Sequence, residues 1–327
     1  MRTPLIEFRK VTKRFGDKVV LDRVDLSIYA GEVTTLIGRS GEGKSVTLKL
    51  IIGLIRPDSG DILYRGKSIS QMNRAERERF RREVSFMFQS NALFDSLTVR
   101  ENIALPLHEG SKAKDPTIRE RVDHKMRVMD LEGTEDKYPS QISGGMQKRV
   151  ALARAIVTDP DTVLFDEPTT GLDPVRKNSV LGMITSNQRD YGFTAVLVSH
   201  DVPDVFYISN RIAVLEQGRV IFQGPPQDLE QRDHPVLQEY VSSQEILRNE
   251  IYGLQSAKSL ERTFSKFRED PEKRDAVMFV ISLPEYHIIK EQMGHLMVDM
   301  MLGSMAKIFY RVSKSGDACK VARYRED

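Results

Sequence analysis

The segment Gly38-Arg39-Ser40-Gly41-Glu42-Gly43-Lys44-Ser45 constrains this chain more than any other. It follows a short apolar run, Val33 to Ile37, and precedes a helical apolar pattern from Ser45 to Ile55. Strand, glycine loop and helix form the context of the P-loop pattern G-x-x-x-x-G-K-S. Glycines let backbone N–H groups converge on phosphate oxygens without Cβ clashes. The following helix aims its positive end at the same anion. Lys44 is then placed to reach the β- and γ-phosphates, and Ser45 to ligate Mg²⁺. Arg39, Ser40, Glu42 and Val46 complete the segment that would surround the phosphates.

Composition narrows the partners. With 327 residues, 40% apolar and 29% charged, the chain can bury one large core or two smaller ones. Its 49 Lys+Arg against 47 Asp+Glu leave a net charge of +2, so no phosphate-seeking field for nucleic acid is expected. One cysteine, Cys319, excludes an internal disulfide and any Cys-rich metal site. No run approaches the roughly 18–20 apolar residues of a membrane span. Met1-Arg2-Thr3-Pro4 meets Glu7 and Arg9 before any apolar run, so no secretory signal is expected. A cytosolic protein that reaches a membrane only by docking fits these facts.

Short strand patterns alternate with helical ones. Leu5 to Phe8 and Val19 to Leu21 flank a turn at Gly16-Asp17 and predict a hairpin. Arg74 to Arg82 reads as a solvated helix and Val84 to Phe88 as a strand. Helical spacing recurs over residues 117–131 and 145–157, with buried-strand candidates at Thr162–Phe165 and Thr194–Val198. The alternation predicts an α/β fold with a mostly parallel core sheet.

Two further segments carry chemistry. Thr162-Val163-Leu164-Phe165-Asp166-Glu167 is an apolar strand ending in two carboxylates. Asp166 is placed to hold Mg²⁺ and Glu167 to orient or deprotonate a water. Ser143-Gly144-Gly145-Met146-Gln147 starts a helix whose amides are able to face an anion.

In this order the motifs resemble the nucleotide-binding subunit of an ABC transporter over roughly residues 4–245. Ser143–Gln147 resembles the LSGGQ signature, with Ile142 for Leu and Met146 ahead of Gln147. Gln89 resembles the Q-loop glutamine, a Mg²⁺ ligand. Asp173, in Gly171-Leu172-Asp173, resembles the D-loop, and His200 the switch histidine at the γ-phosphate. Phe15 stands where an aromatic stacks on adenine; Tyr is commoner there, and Phe keeps the stacking face. The resemblance implies a P-loop ATPase with an N-terminal antiparallel β subdomain and a helical signature subdomain. It further implies ATP and Mg²⁺ as cofactors and a homodimer, in which Ser143, Gly144, Gly145 and Gln147 of one copy face the P-loop of the other.

The stretch from Phe88 to Leu107, with Ala92-Leu93-Phe94-Asp95-Ser96-Leu97-Thr98-Val99 at its centre, resembles the ATPases of Mla/MCE-type phospholipid transport systems. That likeness implies an integral-membrane permease, an MCE-domain lipid-binding protein and a place on the cytoplasmic face of the inner membrane. Leu93, Phe94 and Leu97 suit either a socket for a permease helix or a buried core. Other cargoes, such as amino acids or metal ions, stay open, as does a non-transport ABC ATPase. Against the last, the chain has one cassette where translation factors have two, and no coiled-coil or zinc insertion.

Residues 246–327 form an expected small α/β extension after the break at Gly224-Pro225-Pro226. Asp275–Leu283, Gly294-His295-Leu296 and Val321-Ala322-Arg323-Tyr324 faintly resemble the first half of a GGDEF domain. Ser282 and Pro284 stand where that family's metal-binding aspartates belong, Lys290 replaces its base-reading Asn, and the chain stops at Asp327. No cyclase chemistry is expected without those ligands.

Overall fold

The computed structural model describes residues 2–108, 116–200 and 205–247, with short pieces at 255–256, 264–265, 301–302, 304–305, 308–309 and 322–323. The chain divides into two compact units, Met1–Leu229 and Glu230–Asp327.

The first unit is built on a six-stranded sheet of order β10-β9-β3-β8-β7-β6. Its strands are β3 (Val33–Ile37), β6 (Val84–Met87), β7 (Thr162–Asp166), β8 (Thr194–Ser199), β9 (Arg211–Glu216) and β10 (Arg219–Gly224). All pairs are parallel except β9 with β10. Every residue of β3, β7 and β8 is buried, which is why they read as nearly continuous apolar runs, broken only by threonines and by the last residues of β7 and β8.

Side-chain alternation divides the core between the two faces of this sheet. Val163, Phe165, Ala195 and Leu197 join one cluster with Ile103, Met126, Val150 and Ile184. These come from helices α3 (Val99–His108), α4 (Pro116–Val128), α5 (Gly144–Ile156) and α6 (Pro174–Tyr191). Leu164, Val196 and Val198 join the other cluster, with Leu48, Phe8 and Ile62. Leu48 lies on α1 (Lys44–Ile51), and the other two lie on an antiparallel sheet of order β2-β1-β4-β5. That sheet comprises β1 (Ile6–Phe15), β2 (Lys18–Ile28), β4 (Ser59–Tyr64) and β5 (Lys67–Ser68). The expected hairpin closes at Gly16-Asp17, with Phe15 opposite Lys18. α2 (Arg74–Glu83) opens with a reciprocal capping box between Asn73 and Glu76.

Two helices stop earlier than their apolar spacing predicts. α1 ends at Ile51 rather than Ile55, because Gly53 turns left-handed (φ 69) and Leu54 N–H bonds back to the Lys49 carbonyl. α4 ends at Val128 rather than residue 131, where Asp130 takes φ 51 and Leu131 N–H returns to Met126. Leu131 is buried and Ile55 packs against the core, so the apolar spacing runs on past both helix ends.

Strand register positions the site. Ile37 pairs with Ser199, Asp166 with Val198, and Met87 with Phe165. The segments leaving β3, β6, β7 and β8 therefore emerge at one sheet edge, where open α/β sheets place ligands.

In the second unit the described elements are α7 (Pro235–Leu247) and a two-residue parallel pair, β11 (Gln255–Ser256) with β12 (Ala322–Arg323). The segments Asp275–Leu283 and Gly294-His295-Leu296 and the positions Ser282, Pro284 and Lys290 lie outside the described residues. Among the described residues no helix is long and apolar enough to cross a membrane.

Candidate functional site

At the end of β3 the backbone of Gly38 passes so close to the Leu215 carbonyl that a Cβ would collide with it. Gly43 caps α1 in a left-handed conformation, φ 102, with Leu21 and Val20 where a side chain would go. Both positions require glycine. α1 begins with no side-chain cap, so the N–H groups of its first turn are left for an anion. Arg39, Ser40 and Gly41 are exposed and Glu42 is half-buried, whereas Val46 packs on the core.

Lys44 is 5% exposed and donates from Nζ to the carbonyls of Gly38 and Arg39, both at 2.9 Å. Burial pushes its ammonium below the ordinary lysine range, against the pull of Glu167, Glu42 and Asp166. Ser45 Oγ donates to Asp166 Oδ1 at 2.7 Å. Asp166 is 6% exposed, and burial pushes its carboxyl above the usual carboxylate range, with the Ser45 bond opposing and Glu167 adding to the rise. Two hard oxygen donors thus meet beside the loop. Among the described residues no group of three His, Cys, Asp or Glu forms a closed cage. One carboxylate, a hydroxyl and the Gln89 amide suit a Mg²⁺-like cation that keeps waters and phosphate oxygens as its other ligands.

Glu167 follows Asp166 and leaves the strand with φ 48, left-handed for a residue with a side chain. Its N–H is held by the Val198 carbonyl at 3.0 Å. That turn presents the carboxylate to three groups. Gln89 Nε2 donates to Oε2 at 3.0 Å, Thr170 Oγ donates to the same oxygen at 2.8 Å, and His200 Nδ1 lies 3.3 Å from Oε1. The structure therefore joins Lys44, Ser45, Gln89, Asp166, Glu167 and His200 at one edge. A water beside Glu167 would meet a base within reach of the phosphate-binding loop.

Other sequence candidates lie apart. Phe15 ends β1 half exposed, with Lys13 Nζ 5.3 Å from its ring centroid and Asp58 pairing that ammonium at 3.2 Å. Ser143 caps α5 and accepts from Met146 N–H at 3.3 Å. Ser143 and Gly144 are exposed, and a Cβ added at Gly144 or Gly145 would meet open space. Gln147 turns back, donating to the Pro139 carbonyl at 2.9 Å. Asp173 caps α6 through Arg176 N–H at 3.0 Å and pairs with the Arg176 guanidinium at 3.2 Å. Of the apolar trio after Gln89, Phe94 is 52% exposed, while Leu93 packs on the helical core.

Sequence reading missed Thr170, Asn102 and Arg154. Thr170 sits three residues past Glu167, the offset at which a turn brings a hydroxyl back. Asn102 is a polar residue inside a helical apolar run, a position tolerated only if its amide is bonded.

A family model described as ABC transporter matches residues 21–170. The chain is 36% identical over 237 residues to the intermembrane phospholipid transport system ATP-binding protein MlaF of Escherichia coli K12, spanning 72% of this chain and 88% of that protein. It is 39% identical over 241 residues to the probable ribonucleotide transport ATP-binding protein mkl of Mycobacterium leprae, spanning 74% of this chain and 70% of that one. Among solved structures it is similar to a dimeric ATP-binding cassette bound to ADP and Pi, with a TM-score of 0.61, 30% identity, and 67% and 98% of the two chains covered.

Proposed function

The chain belongs to the ABC transporter ATP-binding proteins, and from that premise we propose that its ATP hydrolysis drives phospholipid transport. It is the ATPase subunit of a transporter. The similarity to MlaF over 88% of that protein is the observation that supports the lipid cargo.

The geometry supports a division of roles. Phe15 offers its exposed face to adenine. The amides of Gly41 to Val46 receive the phosphates, and Lys44 exchanges the Gly38 and Arg39 carbonyls for phosphate oxygens. Ser45, Gln89 and Asp166 would hold Mg²⁺, which when bound neutralises charge on the β- and γ-phosphates. Glu167 orients the attacking water and takes its proton, and His200 steadies the γ-phosphate beside it.

One chain leaves the outer side of the triphosphate open. In a dimer, Ser143, Gly144, Gly145 and Gln147 of a second copy close it, with Asp173 at the seam. Closure and release then move a permease at the cytoplasmic face of the inner membrane, with an MCE-domain protein carrying lipid beyond it. Residues 246–327 are an appendage to the cassette of 4–245.

A ribonucleotide cargo is the second reading, supported by the similarity to mkl. The deciding experiment reconstitutes the subunit with its co-purified permease in vesicles holding labelled phospholipid. ATP-dependent lipid transfer, lost in Lys44→Ala, is expected. Uptake of ribonucleotides, amino acids or metal ions with no lipid transfer would overturn the lipid reading.

A further inference from the structure

The loop from Phe88 to Thr98 links Gln89 to α3 and carries the exposed Phe94. Its conformation is costly. Asn91 and Ala92 are consecutive left-handed residues, φ 62 and 46, and neither is glycine. The Asn91 side-chain oxygen Oδ1 is buried and has no hydrogen-bond partner. A chain left to itself would relax both.

Two side chains from different helices oppose that relaxation. Arg154, on α5, donates from its two terminal nitrogens to the Ala92 carbonyl at 2.8 Å and the Asn91 carbonyl at 2.6 Å. Those are the carbonyls of the two strained residues. Asn102, fully buried on α3, donates from Nδ2 to the carbonyls of Phe94, Leu97 and Thr98, each at 3.0 Å. Its Oδ1 accepts from Phe94 N–H at 2.9 Å. Two amide hydrogens serve three carbonyls, so at least one is shared. Every bond runs from side chain to backbone and fixes the shape of the loop whatever side chains it displays.

α5 is capped by Ser143, the residue proposed to meet ATP on a second copy, and ends two residues beyond Arg154. We infer that Arg154 and Asn102 are positioning residues that hold the loop after Gln89 in a strained resting shape, and that Arg154 transmits movement of the signature helix to it. A shift of α5 on ATP capture withdraws or redirects the guanidinium, and the stored strain moves Phe94. This rests on the reading of Ser143 as a nucleotide contact.

Hydrogen-exchange mass spectrometry on the full chain, with and without AMP-PNP and Mg²⁺, tests it. In the parent, the bonded amides of Asn91, Phe94 and Leu97 exchange slowly and respond to AMP-PNP. Arg154→Met raises their resting exchange by about tenfold and abolishes the response, with AMP-PNP affinity within about twofold of the parent. Arg154→Lys, which keeps one donor, restores part of the response. Should Arg154→Met lose cooperative melting, Ala92→Gly, which relieves the left-handed strain and keeps the Arg154 bonds, tests the same proposal through a reduced response. An unchanged nucleotide response in these variants, or a parent loop that binds AMP-PNP without responding, overturns the inference. A parent that binds no AMP-PNP overturns the ATPase reading first, and this one with it.

Discussion

Gln89 and Glu167, 78 residues apart, are joined by a hydrogen bond of 3.0 Å from Nε2 to Oε2. The bond ties the segment after β6 to the carboxylate after β7 and leaves the Gln89 carbonyl oxygen free to face a cation. The bond fixes the Glu167 carboxylate beside the loop, where the proposed function makes it the base. Glu167→Gln keeps the shape and removes the base, so turnover should fall by at least about 100-fold while ATP still binds. Phosphate release and light scattering check this: the variant should accumulate as an ATP-bound dimer. Wild-type turnover in the variant would remove Glu167 from its role.

Thr170 shares the same Glu167 oxygen at 2.8 Å. Thr170→Val keeps the volume and deletes the donor. We expect kcat to fall roughly tenfold with KM nearly unchanged, because the bond orients a base and does not touch ATP. Thr170→Ser should restore the rate. A KM effect of equal size would mean that Thr170 shapes the nucleotide site instead.

Asp166 links stability to pH with a definite sign. Its carboxyl is raised in the folded protein, chiefly by burial. A folded group that holds its proton more tightly than the unfolded chain adds stability at low pH. That contribution falls as pH rises from the ordinary carboxylate range through the raised folded value. At neutral pH the buried charge is therefore a cost. Asp166→Asn keeps an acceptor for Ser45 and removes the charge, so the nucleotide-free protein should melt about 2–4 °C higher per kcal/mol recovered. The same variant should lose Mg²⁺-dependent hydrolysis. A lower melting temperature at pH 7 would contradict the sign.

The P-loop, the paired carboxylates and the strands that carry them were legible because each is local. Gly38 to Ser45 and Thr162 to Glu167 are contiguous, and their residue types admit few alternatives. The full burial of β3, β7 and β8 made those strands visible as apolar runs. Thr170 and Arg154 were not legible, since a single hydroxyl or guanidinium declares no partner until the chain folds. Leu93 and Phe94 diverge for the same reason: adjacent apolar residues look alike in sequence, and only the packing of the loop sends one inward and the other out. The hairpin β9–β10 carries no motif and so was not legible, although β9 lies inside the sheet between β10 and β3.

Phe15 lies at the end of β1, half exposed, with its ring braced by Lys13, which Asp58 holds in turn. A ring fixed on one side and open on the other is pre-organised for stacking. Phe15→Ala should weaken ATP binding by about 1–3 kcal/mol, the range for an aromatic under a base. Tripolyphosphate, which has no base, should compete equally well in both proteins. Phe15→Tyr should bind ATP as the parent does, since the stacking face is retained. Lys13→Met leaves the ring in place without its brace, and should give a smaller loss than Phe15→Ala. Titration with a fluorescent ATP analogue measures all four. Equal ATP affinity in Phe15→Ala and the parent would place adenine elsewhere on the cassette.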